Sequence, residues 1–220
     1  MAYKPAITTI DVVLFTLVDE ALQLVLLARE DAPFPGMLAL PGGYLHTESD
    51  ADTRAAARRT LEQKTNIKAP YLEQLYTFSG PDRDPRGWSL SVAYYALVSE
   101  DVLSLRKAEG VALYSVDCLP ELAFDHNEIV AMALKRLRDK SSYSSLPCYL
   151  LPSEFTLPEL QATYEITMGC KLDKSSFRRK LDELDFLEII AGNFKAGKHR
   201  PAQLYRVRKE KSLMLFDRTV

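Results

Sequence analysis

An α+β protein of two unequal domains is what the sequence predicts: a mixed β-sheet with helices over residues 1–147, then a small helix–helix–hairpin unit over 148–220. The first observation is size. A chain of 220 residues is about one and a half times a typical domain of roughly 150, which suits one large and one small domain. The second is composition: 47% hydrophobic and 26% charged residues suit a chain that buries a core, not a disordered one. The third is a change of pattern. β-branched, strand-like segments dominate the first part, and short capped helices with a hairpin follow the serine-rich stretch Ser141–Pro147, read as a linker.

Thr8–Val18 and Leu22–Leu27 are predicted strands joined at the polar turn Asp19-Glu20. Pro33, Pro35 and Gly36 mark a loop, and the apolar Met37–Leu40 is stopped by Pro41-Gly42-Gly43. A helix follows, with Ser49 as its expected N-cap, Asp52 three residues on, and an end at Asn66. Tyr71–Ser79, Ser89–Val98 and Val111–Val116 read as strands, and Asp125–Asp139 as a helix burying Ile129, Met132, Ala133 and Leu137. In the second unit Thr156-Leu-Pro-Glu159 opens a helix that Gly169 stops. Asp173 caps the next helix, whose buried stripe is Phe177, Leu181 and Leu184. Leu187–Ile190 and Gln203–Val207 close the chain as a hairpin. That order is the order of a winged helix-turn-helix.

Several classes are excluded. No apolar run reaches the roughly 18 residues a membrane helix needs, since Val12–Val18 ends at Asp19 and Glu20. The N-terminus has no apolar h-region, so no secretory signal is expected. Cys118, Cys148 and Cys170 are far apart, without zinc-type spacing; free thiols in a reducing cytoplasm are expected, with no metal and no membrane. The formal net charge of −2 hides an asymmetry of −5 over residues 1–147 and +3 over 148–220. Ala191–Lys209 alone holds six basic residues and no acid, which points to a polyanion surface or to a solvated hairpin tip.

Pro41-Gly42-Gly43, followed by a helix carrying Arg59-Thr60-Leu61-Glu62-Gln63-Lys64-Thr65-Asn66-Ile67, resembles the Nudix box, G-x5-E-x7-R-E-U-x-E-E-x-G-U with U apolar. In that family helix-borne glutamates hold magnesium against a pyrophosphate, because magnesium wants a dense cluster of oxygen ligands. Here Thr60, Gln63 and Lys64 stand where the pattern has glutamates, Asn66 replaces the glycine, and the stretch from Gly43 to Arg59 is two residues longer. Lys64 repels a divalent cation. Glu62 and Glu48 lie nearby, but neither is at a matching position. The expectation is a Nudix fold without catalytic residues, its pocket kept for binding.

The candidate effector-binding residues are Arg29, Gly42, Gly43, Arg83, Arg86 and Trp88. Guanidinium groups suit phosphate oxygens, glycines admit a close anion, and an indole suits stacking on adenine. Local pairing of Arg83 and Arg86 with Asp82 and Asp84 is the other reading, as is edge packing for Trp88. His46 reads as a loop residue and His126 as a polar residue at a helix N-terminus. The candidate DNA-binding residues are Lys174, Ser175, Ser176, Arg178 and Arg179 on the second small helix, with Lys195, Lys198, His199 and Arg200 on the hairpin tip. The N-terminal half of such a helix enters the major groove, and the wing lies over phosphates.

With Phe155-Thr-Leu-Pro-Glu-Leu160, Lys171-Leu-Asp-Lys174, Phe177-Arg-Arg-Lys180 and Arg200-Pro-Ala-Gln-Leu-Tyr205, nearly the whole chain resembles the NrtR family of Nudix-related regulators of NAD metabolism. The resemblance implies a cytoplasmic homodimeric repressor that binds a pseudo-palindromic double-stranded DNA operator. Release by ADP-ribose or a related NAD product, with no cofactor required, is implied too. Members of the wider group regulate sugar genes with other effectors. The rival readings are an active ADP-ribose or nucleotide-sugar pyrophosphatase and a scaffold whose basic helix meets an acidic protein.

Overall fold

The computed structural model describes residues 5–106, 110–195, 201–211 and 213–217. The chain divides into two compact units, Met1–Thr16 with Gln23–Leu134, and Leu17–Leu22 with Lys135–Val220.

β1 (Ile7–Val18) and β2 (Ala21–Ala28), which lie in the first unit apart from the tip Leu17–Leu22, form a hairpin whose two turn residues, Asp19 and Glu20, have φ of 50° and 60°. Two consecutive left-handed residues give the turn a twist that matches its strands. β3 (Leu38–Ala39), β4 (Gly42–Tyr44), β5 (Tyr71–Gly80), β6 (Ser89–Leu97) and β7 (Val111–Ser115) complete a seven-stranded sheet of order β3-β2-β1-β6-β5. β4 pairs β1 and β7 pairs β2, both antiparallel, while β1 and β6 run parallel. β4 was not expected: Gly42 and Gly43 pair with Asp11 and Ile10 of β1 instead of ending structure.

α1 (Thr53–Thr65) packs Ala56, Ala57 and Leu61 on one face of the sheet, against Ile10, Val12 and Leu14 of β1. Because side chains alternate along a strand, Asp11 belongs to the opposite face. Asp52, not Ser49, caps α1, its carboxylate accepting from the Ala55 amide at 2.6 Å; Asn66 ends it in the left-handed conformation. Ser49 belongs instead to a turn in which its amide bonds the His46 carbonyl. A short helix, α2 (Glu100–Arg106), also escaped the sequence reading. In α3 (His126–Ser141) the buried stripe is Ile129, Val130, Ala133 and Leu137, and Met132 is 36% exposed. Periodicity alone does not separate two adjacent apolar positions at the stripe's edge.

The second unit holds α4 (Leu157–Met168), α5 (Lys174–Leu184) and a three-stranded sheet of β8 (Phe155–Thr156), β10 (Ala202–Val207) and β9 (Leu187–Lys195) in that order. α4 starts with a complete capping box, Thr156 with Glu159, and stops at Gly169 with φ 72°. α5 is capped by Asp173, whose carboxylate accepts from the Ser176 amide at 2.8 Å. Phe177, Leu181, Tyr164, Leu160 and Phe186 form the core between helices and wing.

Ser141–Pro147 is not an exposed tether. Ser141, Ser144, Ser145 and Leu146 are fully buried. Ser145 and Met214 exchange bonds, the Ser145 amide donating to the Met214 carbonyl at 3.0 Å and the Met214 amide to the Ser145 hydroxyl at 2.9 Å. Tyr164 donates to the Ser144 carbonyl at 2.9 Å, and the Phe216 amide to the Tyr143 carbonyl at 2.7 Å. Serine suits this segment because its short hydroxyl satisfies buried backbone groups that a larger side chain would not reach.

Phe177 is 1% exposed and meets Tyr164 edge-on, with ring centroids 5.4 Å apart. Phe177→Ala is expected to cost about 3–5 kcal/mol of winged-helix stability. Its denaturant midpoint, followed by far-ultraviolet circular dichroism, checks this; a change under 1 kcal/mol counts against the core assignment.

Candidate functional site

Beside the β1–β4 pair lies a cavity of about 460 Å³ in the first unit, open to solvent on one side. Its floor is built around Asp11, which is 6% exposed. Ser91 on β6 donates to Asp11 Oδ2 at 2.6 Å, His126 Nε2 lies 3.5 Å from Oδ1, and the Arg83 guanidinium is 4.0 Å from Oδ2. Burial pushes the Asp11 carboxyl up, but His126, Ser91 and Arg83 together outweigh it and hold the group below its ordinary value. The Leu40 amide donates to His126 Nδ1 at 3.0 Å, which leaves Nε2 to carry the proton facing Asp11. Arg83 makes a two-pronged bond to Asp125, at 2.9 and 2.7 Å, and a third to Ser89 at 3.3 Å.

Gly42 is dictated by this floor. A Cβ there would stand 2.2 Å from Asp11 Oδ1, so no side chain fits between β4 and the buried carboxylate.

Aromatic rings line the cavity with Arg29 and Arg86. Phe124 holds a left-handed backbone (φ 57°), an outlier for a bulky residue of the kind that clusters at binding sites. Its ring packs edge-on to Phe34 at 5.1 Å, Arg29 lies over it at 4.7 Å, and Arg86 at 5.8 Å. Arg86 also lies 5.6 Å over the Tyr44 ring, bonds the Tyr44 hydroxyl, and pairs with Asp84 at 2.7 Å.

Five of the six residues expected at the pocket line it: Arg29, Gly42, Gly43, Arg83 and Arg86. Trp88 does not; it is 51% exposed just before β6, and Tyr44 and Phe124 are the rings of the cavity instead. Local pairing holds for Arg86 with Asp84, while Arg83 chooses Asp125, across 42 residues. His126 does open a helix, as its position implied, but it is buried and bridges Leu40 to Asp11. Phe124, Tyr44 and Asp11 went unread, although a carboxylate within an apolar strand is the signal that marks Asp11.

The Nudix resemblance implies magnesium on the box helix, and the donors here do not fit it. The α1 residues on the cavity are Arg59, Thr60, Gln63 and Lys64. Glu62 pairs with Lys68 at 3.0 Å and is not among the lining residues. Arg59 engages Asp50 at 2.7 Å through both Nε and Nη2, holding that carboxyl at about 2. Among the described residues no three His, Cys, Asp or Glu side chains gather as a metal site.

In the second unit Lys174, Ser175, Ser176, Arg178 and Arg179 are all exposed on α5. Arg179 has a weak contact at 4.0 Å with Glu183, and both side chains stay solvated. Lys195 pairs with Glu159 of the capping box, which keeps the Glu159 carboxyl low despite its partial burial. Lys198, His199 and Arg200 lie outside the described residues.

Fold and site together define a Nudix domain followed by a winged helix that presents a basic face. Residues 8–133 match the NUDIX domain, and residues 147–207 match the NrtR DNA-binding winged helix domain. The ADPR responsive transcriptional repressor NtrR of Acinetobacter baylyi is 40% identical over 93% of this chain and 83% of its own length. Shewanella oneidensis NrtR, in its crystal structure with a 27mer DNA, is 35% identical with a TM-score of 0.90, covering 97% of this chain and 99% of that one. The NUDIX domain of the same protein complexed with ADP ribose is 36% identical with a TM-score of 0.55, over 61% of this chain and 90% of that one. The chain belongs to the NrtR family.

Gly42→Ala forces Asp11 or β4 to move and is expected to cost about 1–3 kcal/mol, read as a lower melting temperature. An unchanged melting temperature would show that the floor gives way freely. The Asp50 carboxyl, at about 2, lies below its ordinary 3.8, so the unfolded chain binds its proton first on acidification. Its contribution is complete above about pH 5 and is lost progressively as pH falls through about 2. Urea midpoints measured over that window should fall less steeply in Asp50→Asn than in the parent protein.

Proposed function

We propose that this protein is an ADP-ribose-responsive transcriptional repressor of NAD biosynthesis or salvage genes, acting as a cytoplasmic homodimer on a pseudo-palindromic operator. Residues 1–147 are its effector domain and 148–220 its DNA-binding domain. The observation that carries the reading is the 40% identity, spread over both domains, with a repressor whose name states its effector. The cavity supports it by combining cations with the Phe124 and Tyr44 rings, a set suited to phosphates and a base. Arg29, Gly42, Gly43, Arg83 and Arg86 form the pocket in this reading. Arg83 acts from beneath, fixing Asp125 and the loop that carries Phe124.

In the DNA-binding domain, Arg178 and Arg179 read base edges, while Lys174, Ser175 and Ser176 contact phosphates. The wing cations Lys195, Lys198, His199 and Arg200 add backbone charge. One winged helix reads a short half-site, so specific affinity calls for two, about one DNA turn apart. ADP-ribose releases DNA to the extent that it binds the DNA-free dimer more tightly, and by reciprocity operator DNA weakens ADP-ribose binding by the same factor.

The protein performs no hydrolysis in this reading. The support is the α1 face, where Thr60, Gln63 and Lys64 replace carboxylates and Glu62 faces Lys68.

An operator titration with and without ADP-ribose tests the switch: saturating ligand should weaken DNA binding about tenfold or more. Equal affinity in both arms removes the switch. Arg179→Ala should cost about 1–3 kcal/mol of operator binding and leave ADP-ribose affinity intact. Loss of both would instead mark a folding defect.

A further inference from the structure

The turn that joins α4 to α5, residues 169–172, is gathered onto one acid. Each of its four residues donates to Glu165: the Gly169 and Cys170 amides to the Glu165 backbone carbonyl at 2.9 and 3.2 Å, the Lys171 ammonium to Oε2 at 2.7 Å, and the Leu172 amide to Oε1 at 3.2 Å. Gln161, one turn earlier on α4, completes the arrangement. Its side-chain amide donates to Glu165 Oε1 and to the Leu172 carbonyl, both at 3.1 Å. Both backbone groups of Leu172 are therefore held by side chains of α4, and the next residue, Asp173, is the cap of α5.

The two kinds of bond differ in what they need. Those to the Glu165 carbonyl belong to the left-handed helix end at Gly169 and form whatever side chain stands at position 165. Those to the carboxylate need an oxygen acceptor that reaches across the turn. The Glu165 side chain is 13% exposed, and Lys171, then the Leu172 amide and Gln161, hold its carboxyl below the ordinary value.

Charge shows that the acid is not there to attract DNA. α5 presents Lys174, Ser175, Ser176, Arg178 and Arg179 to solvent, and a carboxylate tied to the residue before its cap repels a polyanion. Pairing with Lys171 offsets that repulsion only by taking up a cation that would otherwise attract phosphates. What the carboxylate contributes is geometry: a helix whose start is set before DNA arrives has less freedom to lose on binding.

We infer that Glu165, together with Gln161, is a positioning residue for DNA recognition, fixing the entry of α5 into the groove and so setting operator specificity rather than the overall attraction to DNA. This rests on the proposed reading of residues 148–220 as the DNA-binding domain. Base edges are read only from a fixed orientation, whereas a phosphate contact from a long side chain re-forms after a small tilt and carries no sequence information.

Affinities of the full-length protein for two duplexes test the inference: one that the parent protein enriches from a random pool, and a scrambled duplex of the same length and composition. Glu165→Ala should bind the enriched duplex about tenfold or more weakly, the scale of hydrogen bonds to a charged group, and the scrambled duplex as tightly as the parent or more tightly. Glu165→Gln, which keeps an acceptor for the Leu172 amide, should recover most of the selectivity. Gln161→Met, which changes no charge, should lose selectivity in the same direction, and it decides the matter if Glu165→Ala does not fold. A Glu165 that acts only through charge would give an alanine variant that binds both duplexes more tightly. One that only stabilises the fold would give equal weakening on both, with a lower melting temperature. Either result overturns the inference and leaves the DNA-binding reading standing. A parent protein that enriches no duplex overturns that reading, and the inference with it.

Discussion

A single buried carboxylate organises the first unit. Asp11 sits on a strand whose neighbours on both sides are apolar, at 6% exposure, and an unpaired charge there would cost several kcal/mol. Its partners arrive from three distant parts of the chain: Ser91 from the parallel strand β6, Arg83 from the loop before it, and His126 from the start of α3. His126 in turn fixes the Leu40 amide, and Arg83 fixes Asp125. The β3–β4 connection, the 82–88 loop and the N-terminus of α3 are thereby tied to one point. The cavity is the space these tied segments leave open, and Phe124, in a strained backbone conformation, immediately precedes two of the tied residues, Asp125 and His126.

The same anchoring explains the division of labour among the cations. Arg83 is spent on structure, since its donors are taken by Asp125 and Ser89. Arg86 is partly held by Asp84, yet still lies over the Tyr44 and Phe124 rings. Lys64 has no carboxylate of α1 against it on the cavity, because Glu62 lies away with Lys68. Cations that are held rigidly shape a pocket; cations left solvated are the ones with interaction energy still to give to a ligand.

The winged helix follows a simpler rule. Its helices are set by local caps that the sequence displays openly, Thr156 with Glu159 and Asp173 with Ser176. Its core is a compact group of aromatics, Tyr164, Phe177, Phe186 and Phe216. Once Phe177 and Leu181 turn inward, the period of a helix leaves Lys174, Ser175, Ser176, Arg178 and Arg179 on the outside. The basic face is the geometric remainder of core packing.

Sequence alone determined what depends on near neighbours: the longer strands and the helices α1, α3, α4 and α5, the turn at Asp19-Glu20, the caps of α4 and α5, and the charge of the exposed α5 face. It also displayed the replacement of box glutamates by Thr60, Gln63 and Lys64, which needs no coordinates to see. Tertiary structure decided which ring serves the cavity, Phe124 and not Trp88, and which acid Arg83 takes, Asp125 and not Asp82 or Asp84. It also decided that Ser141 and Ser144–Pro147 are interior and not a tether. The physical reason is common to all three. A charge pair or a buried serine is stabilised by whatever is folded against it, and those partners lie 42, 69 or 80 residues away, a distance at which spacing along the chain carries no signal.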